Sequence, residues 1–463
     1  MSTATDLPEE RSTPDTRSSA PKKPLGASYY KLLSANVISN LGDGVSLVAM
    51  PWLASAITRN PLLVATVAVV QRLPWLVFTL PAGVITDRVD RRRIMVTMDM
   101  LRFALTTLVA LAVLSEQDVL PGPDELDQVA GTRTGLYLAV IVATLLLGMA
   151  EVLRDNSGQT IVPSIVEPEH LEKANGRMWS AEMVANTFAG PPLGSFLLAV
   201  AFALPFFVDA ASFFVAAALM ATIPGSFRAA PVATPVDEPK PSWRQDLSEG
   251  WHWLWRHELL RPMAIILGCM NAAGMISGAV FVLFAQEVLG VGPLLFTVIM
   301  FGGAIGGIVG GVITSPVSKR FGSGTCLAIV LGGSAILSTV TGLASHWPIV
   351  MVLFGVESLF AILWNVITVS LRQTIIPPHL LGRVNSVYRF FAWGMIPVGA
   401  AIGGVTVLVV DSVASRELAL RSTWFVNAAV HLALFLAGRH LLTTAKIEAA
   451  RAAALSPDAG ATA

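Results

Sequence analysis

Apolar residues in this chain gather into long windows separated by short polar breaks, at about residues 30–57, 62–86, 94–115, 135–157, 174–202, 203–224, 259–288, 293–314, 325–344, 348–370, 384–410 and 422–440. Each window is long enough for a helix to cross a bilayer, which takes roughly 20 mostly apolar residues for about 30 Å of hydrocarbon. The pattern predicts an all-α integral membrane protein of twelve spanning helices, the fifth and sixth divided only by Pro205 in AVAFALPFF. Residues 1–28 are polar, rich in Ser, Thr, Pro and charge, lack an apolar leader segment, and read as a disordered tail. Residues 225–256 read as a linker and 442–463 as a second tail, leaving six-helix halves at 29–224 and 257–441.

Composition agrees with this reading. Of the 463 residues 54% are hydrophobic and only 13% charged, with a mean hydropathy of +0.66, whereas soluble domains carry about 25% charged residues. The net charge of zero gives no reason to expect a nucleic-acid partner. Cys269 and Cys326 lie in apolar windows without a CxxC spacing or a neighbouring His, so they read as small core or lipid-facing residues. Lys and Arg fall on one side of the predicted membrane; the other side holds only Arg59, Arg133, Arg416 and Arg421. That bias places both termini in the cytosol, and the absence of any Asn-x-Ser/Thr site fits a bacterial cytoplasmic membrane.

The chain also repeats itself. GVIT at 83–86 returns at 311–314, QTIVP at 159–163 returns as QTIIP at 373–377, and GPPLG at 190–194 faces GAAIG at 399–403. Three echoes in one order predict two six-helix pseudo-repeats, an arrangement that in one large transporter class puts the substrate site near the midplane between halves.

Between the second and third windows, residues 83–92 read Gly83, Asp87, Arg88, Asp90, Arg91, Arg92 at the spacing GxxxDRxxRR. This resembles the signature of the major facilitator superfamily, and Asp90, where Gly is usual, is similar to the macrolide and enterobactin exporter branch. SNLGDGVSLVAMP at 39–51 and DMLRFAL at 99–105 carry the same resemblance, which spans about residues 30–440. It implies a drug or siderophore exporter working by proton antiport, with a rival reading as a proton-coupled importer of a small metabolite. In physical terms the motif reads as a latch whose arginines cross-link acidic groups of adjacent helices; as a bare positive-inside anchor, Gly83 and Asp87 would go unexplained. The second copy has Ser315 and Pro316 at the positions of Asp87 and Arg88, so the latch is expected to be one-sided. In the family a Gly-Pro pair in helix five accompanies exporters, and Gly190, Pro191, Pro192 and Gly194 match it. Two consecutive prolines also kink any helix. Gly302, Gly306, Gly310 and the parallel Gly303, Gly307, Gly311 predict two packing stripes on helix eight.

Ionisable residues inside the membrane are costly unless paired, hydrated or protonated, which makes them the coupling candidates. Asp43, Glu182 and Glu357 are the expected proton carriers, with Asp43 and Arg72 as a possible ion pair; Glu151, Arg154, Asp155 and Asp209 read as structural. Trp52, Phe281, Trp364 and Trp393, with Arg72, Asn271, Asn365 and Arg389, are the expected cavity residues, Arg389 facing either Glu357 or an anionic cargo. The expected partners are a small amphipathic molecule and the lipid bilayer, with the chain acting as a monomer. There is no GK dipeptide for an ATP-binding loop, and the seven histidines are scattered, so neither an ATP-driven pump nor an enzyme is expected. No cofactor is expected beyond the proton gradient.

Overall fold

A computed structural model describes residues 25–122, 129, 131–228, 243–377 and 380–455, except for the side chains of Leu80, Asp87, Trp243 to Leu247 and Leu455. The first half holds α1 (Ala27–Ile57), α2 (Pro61–Val77), α3 (Thr79–Arg88), α4 (Arg91–Ser115), α5 (Thr134–Ile165), α6 (Leu171–Met183), α7 (Gly190–Val200) and α8 (Leu204–Ala221). After α9 (Trp243–Arg256) come α10 (Leu260–Gly278), α11 (Phe281–Glu287), α12 (Pro293–Phe321), α13 (Ser323–Leu343), α14 (Trp347–Ile375), α15 (Leu381–Asp411), α16 (Arg416–Leu441) and α17 (Thr444–Leu455).

Eleven helices among the described residues are long and apolar enough to cross a membrane, counting α6 with α7 and α10 with α11 as single spans. The twelfth is α2 with α3, broken at Phe78. The break has a local cause: Pro81 has no N–H to return to the carbonyl of Val77, so the α2 ladder ends there. α2 begins cleanly because Asn60 accepts from the N–H of Leu62 (3.0 Å) and Leu63 (3.4 Å), and Pro61 occupies the first helical position.

The sequence echoes become equivalent packings. On α7, Gly190 and Gly194 lie against Gly44 and Val45 of α1; on α15, Gly399 and Gly403 lie against Ala272 and Ile276 of α10. A Cβ on Gly190 would stand 2.5 Å from the Gly44 Cα, so the close approach requires glycine. Likewise α4–α8 and α1–α8 in the first half correspond to α13–α16 and α10–α16 in the second, and the halves meet through α2–α15 and α7–α12. Aromatic contacts also cross the seam: Trp52 of α1 meets Phe296 edge-on (centroids 6.2 Å apart), and Phe296 leads to Phe281 (5.4 Å) and Phe354 (4.9 Å from Phe281).

Packing adds detail in three places. Of the two glycine stripes on α12, Gly302, Gly306 and Gly310 seat on the backbone of α14 at Met351, Gly355 and Leu359, whereas in the second stripe Gly307 approaches only the Ser358 side chain and a Cβ on Gly311 would meet nothing. The end of the linker forms α9, whose Trp251 stacks on Phe391 of α15 at 5.5 Å. The second tail packs on the helices. It turns back as α17, where the Thr444 hydroxyl accepts from the N–H of Gly324 (3.1 Å) and Thr325 (3.4 Å), donors that the first turn of α13 leaves unpaired.

Candidate functional site

The first half encloses a polar cavity of about 170 Å³ lined by Asp43, Arg72, Arg102, Glu151, Asn186 and Asp209. α1, α4, α5 and α8 each bring an acidic or basic residue to the region, and the pairs are made across helices. Asp43 is bound by Arg102 of α4, which correspondingly replaces Arg72 as its partner. Arg102 also lies 3.6 Å from Asp99, one turn back on the same helix, donates to Ser39 (3.2 Å) and rests 3.8 Å from the Phe213 ring centroid. Asp99 is fully buried and stands 3.4 Å from Arg154 of α5, which lies 3.5 Å from Asp155. Arg154 and Asp155 therefore join the α4 pair, not the motif arginines. Arg72 stays on the cavity wall. Asp209, expected as scaffold, faces the cavity and accepts from the Ser46 hydroxyl at 2.5 Å.

Asp99 and Arg102 were not among the expected site residues, although DMLRFAL places an acid and a base three apart inside an apolar window, the spacing at which helical neighbours pair. In the second half the counterpart of the α1–α8 contact, α10–α16, is bridged by uncharged groups. There Asn427 donates to Ser277 (3.1 Å), and its side-chain oxygen lies 2.7 Å from His431 Nδ1.

The other expected carriers lie elsewhere. Glu182 is on an exposed face of α6, and Glu357 takes the Ser334 hydroxyl on its two oxygens at 2.8 and 3.0 Å instead of Arg389. Arg389 and Trp393 are exposed on α15. Trp52 and Trp364 are fully buried packing residues, and Phe281 belongs to the aromatic seam. Asn271 donates to the Ala392 carbonyl (2.6 Å), tying α10 to α15, while Asn365 turns back to its own helix at Ala361 (3.2 Å). Of the expected cavity residues only Arg72 lines the polar cavity. The rest were placed by residue type, and a helical wheel does not tell which apolar face meets another helix.

At the GxxxDRxxRR motif the latch takes another form. The Asp87 side chain lies outside the described residues. Arg91 donates to the Thr160 carbonyl (3.0 Å), Arg92 to the Ile223 carbonyl just past α8, and Arg228 to the Arg88 carbonyl at the end of α3 (3.0 Å). The arginines thus bind main-chain oxygens, those of Ile223 and Arg88 being at helix C-termini where partial negative charge collects. Asp90 caps α4, accepting from the N–H of Arg93 (3.1 Å), the N–H of Phe227 (2.7 Å) and the Ser226 hydroxyl (2.8 Å). Burial pushes this carboxyl up, but those donors and Arg92 outweigh it and hold it below its ordinary value of 3.8. A Cβ on Gly83 would meet only Asn156, at an ordinary 3.7 Å.

Next to the motif end, α1 and α6 border an open groove of about 870 Å³. Its wall is apolar, with Leu33, Val37 and Leu41 facing Ala181 and Val184, and Lys173 and Arg177 stand at its edge. Between α6 and α7 the helix runs through a π-helical turn, Val184–Ala189. Pro191 and Pro192 lack the N–H groups that would bond Phe188 and its predecessor, and the wider turn accommodates the loss. At the opposite end the halves are clasped. Arg59 pairs with Glu287 and donates to Gln286 (2.6 Å), while Arg416 binds Glu287 (2.9 Å), Asp411 (3.1 Å) and the Arg59 carbonyl (2.8 Å). Gln286 donates to Ser55 (2.9 Å).

Two six-helix halves, the first enclosing a buried charge network, make the architecture of a polytopic membrane transporter. The chain belongs to the Major Facilitator Superfamily, whose family model matches residues 32–404. It is 25% identical over 390 residues to the multidrug efflux pump Tap of Mycolicibacterium fortuitum, covering 81% of this chain and 87% of that one. It is also 25% identical over 391 residues to the Tap pump of Mycobacterium tuberculosis strain H37Rv, covering 81% and 86%. In fold it is similar to a bacterial homologue of the iron transporter ferroportin, with a TM-score of 0.67 at 14% identity over 91% of this chain and 100% of that one. The nucleoside transporter NupG is similar too, with a TM-score of 0.69 at 10% identity over 90% and 100%.

Proposed function

We propose that this protein is a secondary active transporter that exports small amphipathic molecules by proton antiport, its halves rocking to expose the site to each side in turn. The observation that carries the reading is the concentration of carboxyls at membrane depth in the first half: Asp43, Asp99, Glu151, Asp155 and Asp209 against Arg72, Arg102 and Arg154. More acids than bases at such depth call for neutralisation by protons. The cavity they line, about 170 Å³, is below the roughly 300–1,000 Å³ of ligand pockets. The apolar groove of about 870 Å³ is large enough for cargo, and both are bordered by α1. Coupling and cargo then occupy neighbouring sites on one helix.

The clasp at Arg59, Glu287 and Arg416 supports a conformer closed at that end, and the positive-inside bias assigns the motif end to the cytosol of a bacterium. The relatives named as multidrug efflux pumps favour export of a drug, antibiotic or siderophore-like cargo. The protein acts as a monomer and needs no bound cofactor.

The test is accumulation of fluorescent dyes, macrolides and catecholates in efflux-deficient cells expressing this chain, with and without an uncoupler. Exclusion of a compound that disappears with the uncoupler, and disappears in Asp43→Asn, is the expected result. Uncoupler-sensitive accumulation inside the cells would reverse the direction and make the protein an importer.

A further inference from the structure

Asp209 accepts from a hydroxyl, and no Arg or Lys among the described residues forms an ion pair with it. It lies on α8, 4% exposed, and lines the cavity. One oxygen accepts from Ser46 at 2.5 Å; the other, Oδ1, is buried against Gly42 and has no hydrogen-bond partner. The charged groups that line the cavity with it are Asp43 from α1, Arg102 from α4, Glu151 from α5 and Arg72 from α2, with Asp99 of α4 in contact with Arg102; α7, the other helix packed on α8, carries none. Arg102 is already bound by Asp43 and Asp99, and it rests on Phe213, one helical turn along α8 from Asp209.

We infer that Asp209 is the carboxyl that takes up and releases the exchanged proton, and that Arg102 is the cation for which Asp209 and Asp43 compete. The inference rests on the antiport reading above. In the state described, Asp209 holds its proton and is neutral, which suits a buried acid whose one partner is a hydroxyl, and Arg102 is left to Asp43. Release of that proton into the cavity leaves a carboxylate on α8 within the field of Arg102. Asp209 and Asp43 then compete for a guanidinium that Asp99 also contacts, and the contact that must change is α1 against α8, which Ser46 closes. Charge balances at each stage: one proton leaves to water, and one cation is redistributed between two acids.

The experiment uses the full chain in two measurements. Infrared difference spectra of the purified protein at neutral pH report protonated carboxyls by their C=O stretch. A band present in the wild type, lost in Asp209→Asn, retained in Asp43→Asn and shifted but not lost in Ser46→Ala is the expected result, with size-exclusion profiles confirming that the variants are folded. Persistence of every such band in folded Asp209→Asn, or its loss in Asp43→Asn alone, overturns the assignment. In proteoliposomes, ethidium movement driven by an imposed pH gradient is expected in the wild type and lost in Asp209→Asn. Ethidium movement in the wild type that ignores the pH gradient would overturn the antiport reading itself. Gradient-driven movement that survives Asp209→Asn would leave that reading standing and remove Asp209 as the carrier.

Discussion

At the residue scale, Asp90 shows how one side chain can serve local structure inside a motif read as a gate. Its carboxyl caps α4 and at the same time holds the chain after α8 through Ser226 and Phe227. Asp90→Ala is expected to lower stability by about 1 kcal/mol, the usual cost of a lost cap, measured by thermal unfolding in detergent. The pH dependence follows from the depressed carboxyl. A folded value below 3.8 means that the stabilisation is complete above 3.8 and is lost as the pH falls through the folded value, so the gap between wild type and variant should close on acidification below 3.8. Asp43 could be read from the sequence as a costly charge in an apolar window, but its partner could not. Arg72 and Arg102 are both arginines in neighbouring windows, and only the placing of α4 beside α1 and α8 selects Arg102.

Elements pack here by backbone contact. Gly306 of α12 sits so close to Gly355 of α14 that a Cβ would overlap its carbonyl oxygen. Gly306→Leu is expected to destabilise by at least the roughly 1–3 kcal/mol of an overpacked core, whereas Gly311→Leu, at a position with open space, should leave the melting temperature nearly unchanged. The pair of variants separates steric packing from a general effect of losing glycine. Sequence periodicity gave both stripes equal standing, because a four-residue spacing repeats on every face of a helix. The prolines of GPPLG announced a distortion, and its form, a π-helical turn at Val184–Ala189, depends on the close seating of Gly190 against Gly44.

On the scale of the whole molecule, the clasp holds residues from distant parts of the chain: Arg59 follows α1, Glu287 ends α11 and Arg416 begins α16. Glu287→Gln removes the one negative charge shared by both arginines. We expect it to favour the conformer open at the clasped end, read as faster labelling of a Ser55→Cys probe by an impermeant thiol reagent in a background without Cys269 and Cys326. Unchanged labelling would mean that the aromatic seam of Trp52, Phe296 and Phe281 closes that end without the ions.

The sequence by itself determined the membrane class, the number of spans, the doubling of the halves and the family, because apolar length and repeated short motifs are properties of the chain that need no partner. It also flagged the distortion at GPPLG, since proline lacks its N–H wherever it stands, but not the break at Phe78. What only the tertiary structure decided was which charges meet. Asp43, Asp99, Arg102, Arg154 and Asp209 come from four helices, and the energy of a charge in the membrane depends on what lies within a few ångströms of it. The same dependence moved the motif arginines onto carbonyl oxygens, put Trp52 and Trp364 into packing, and brought Asp209 from scaffold to the cavity wall.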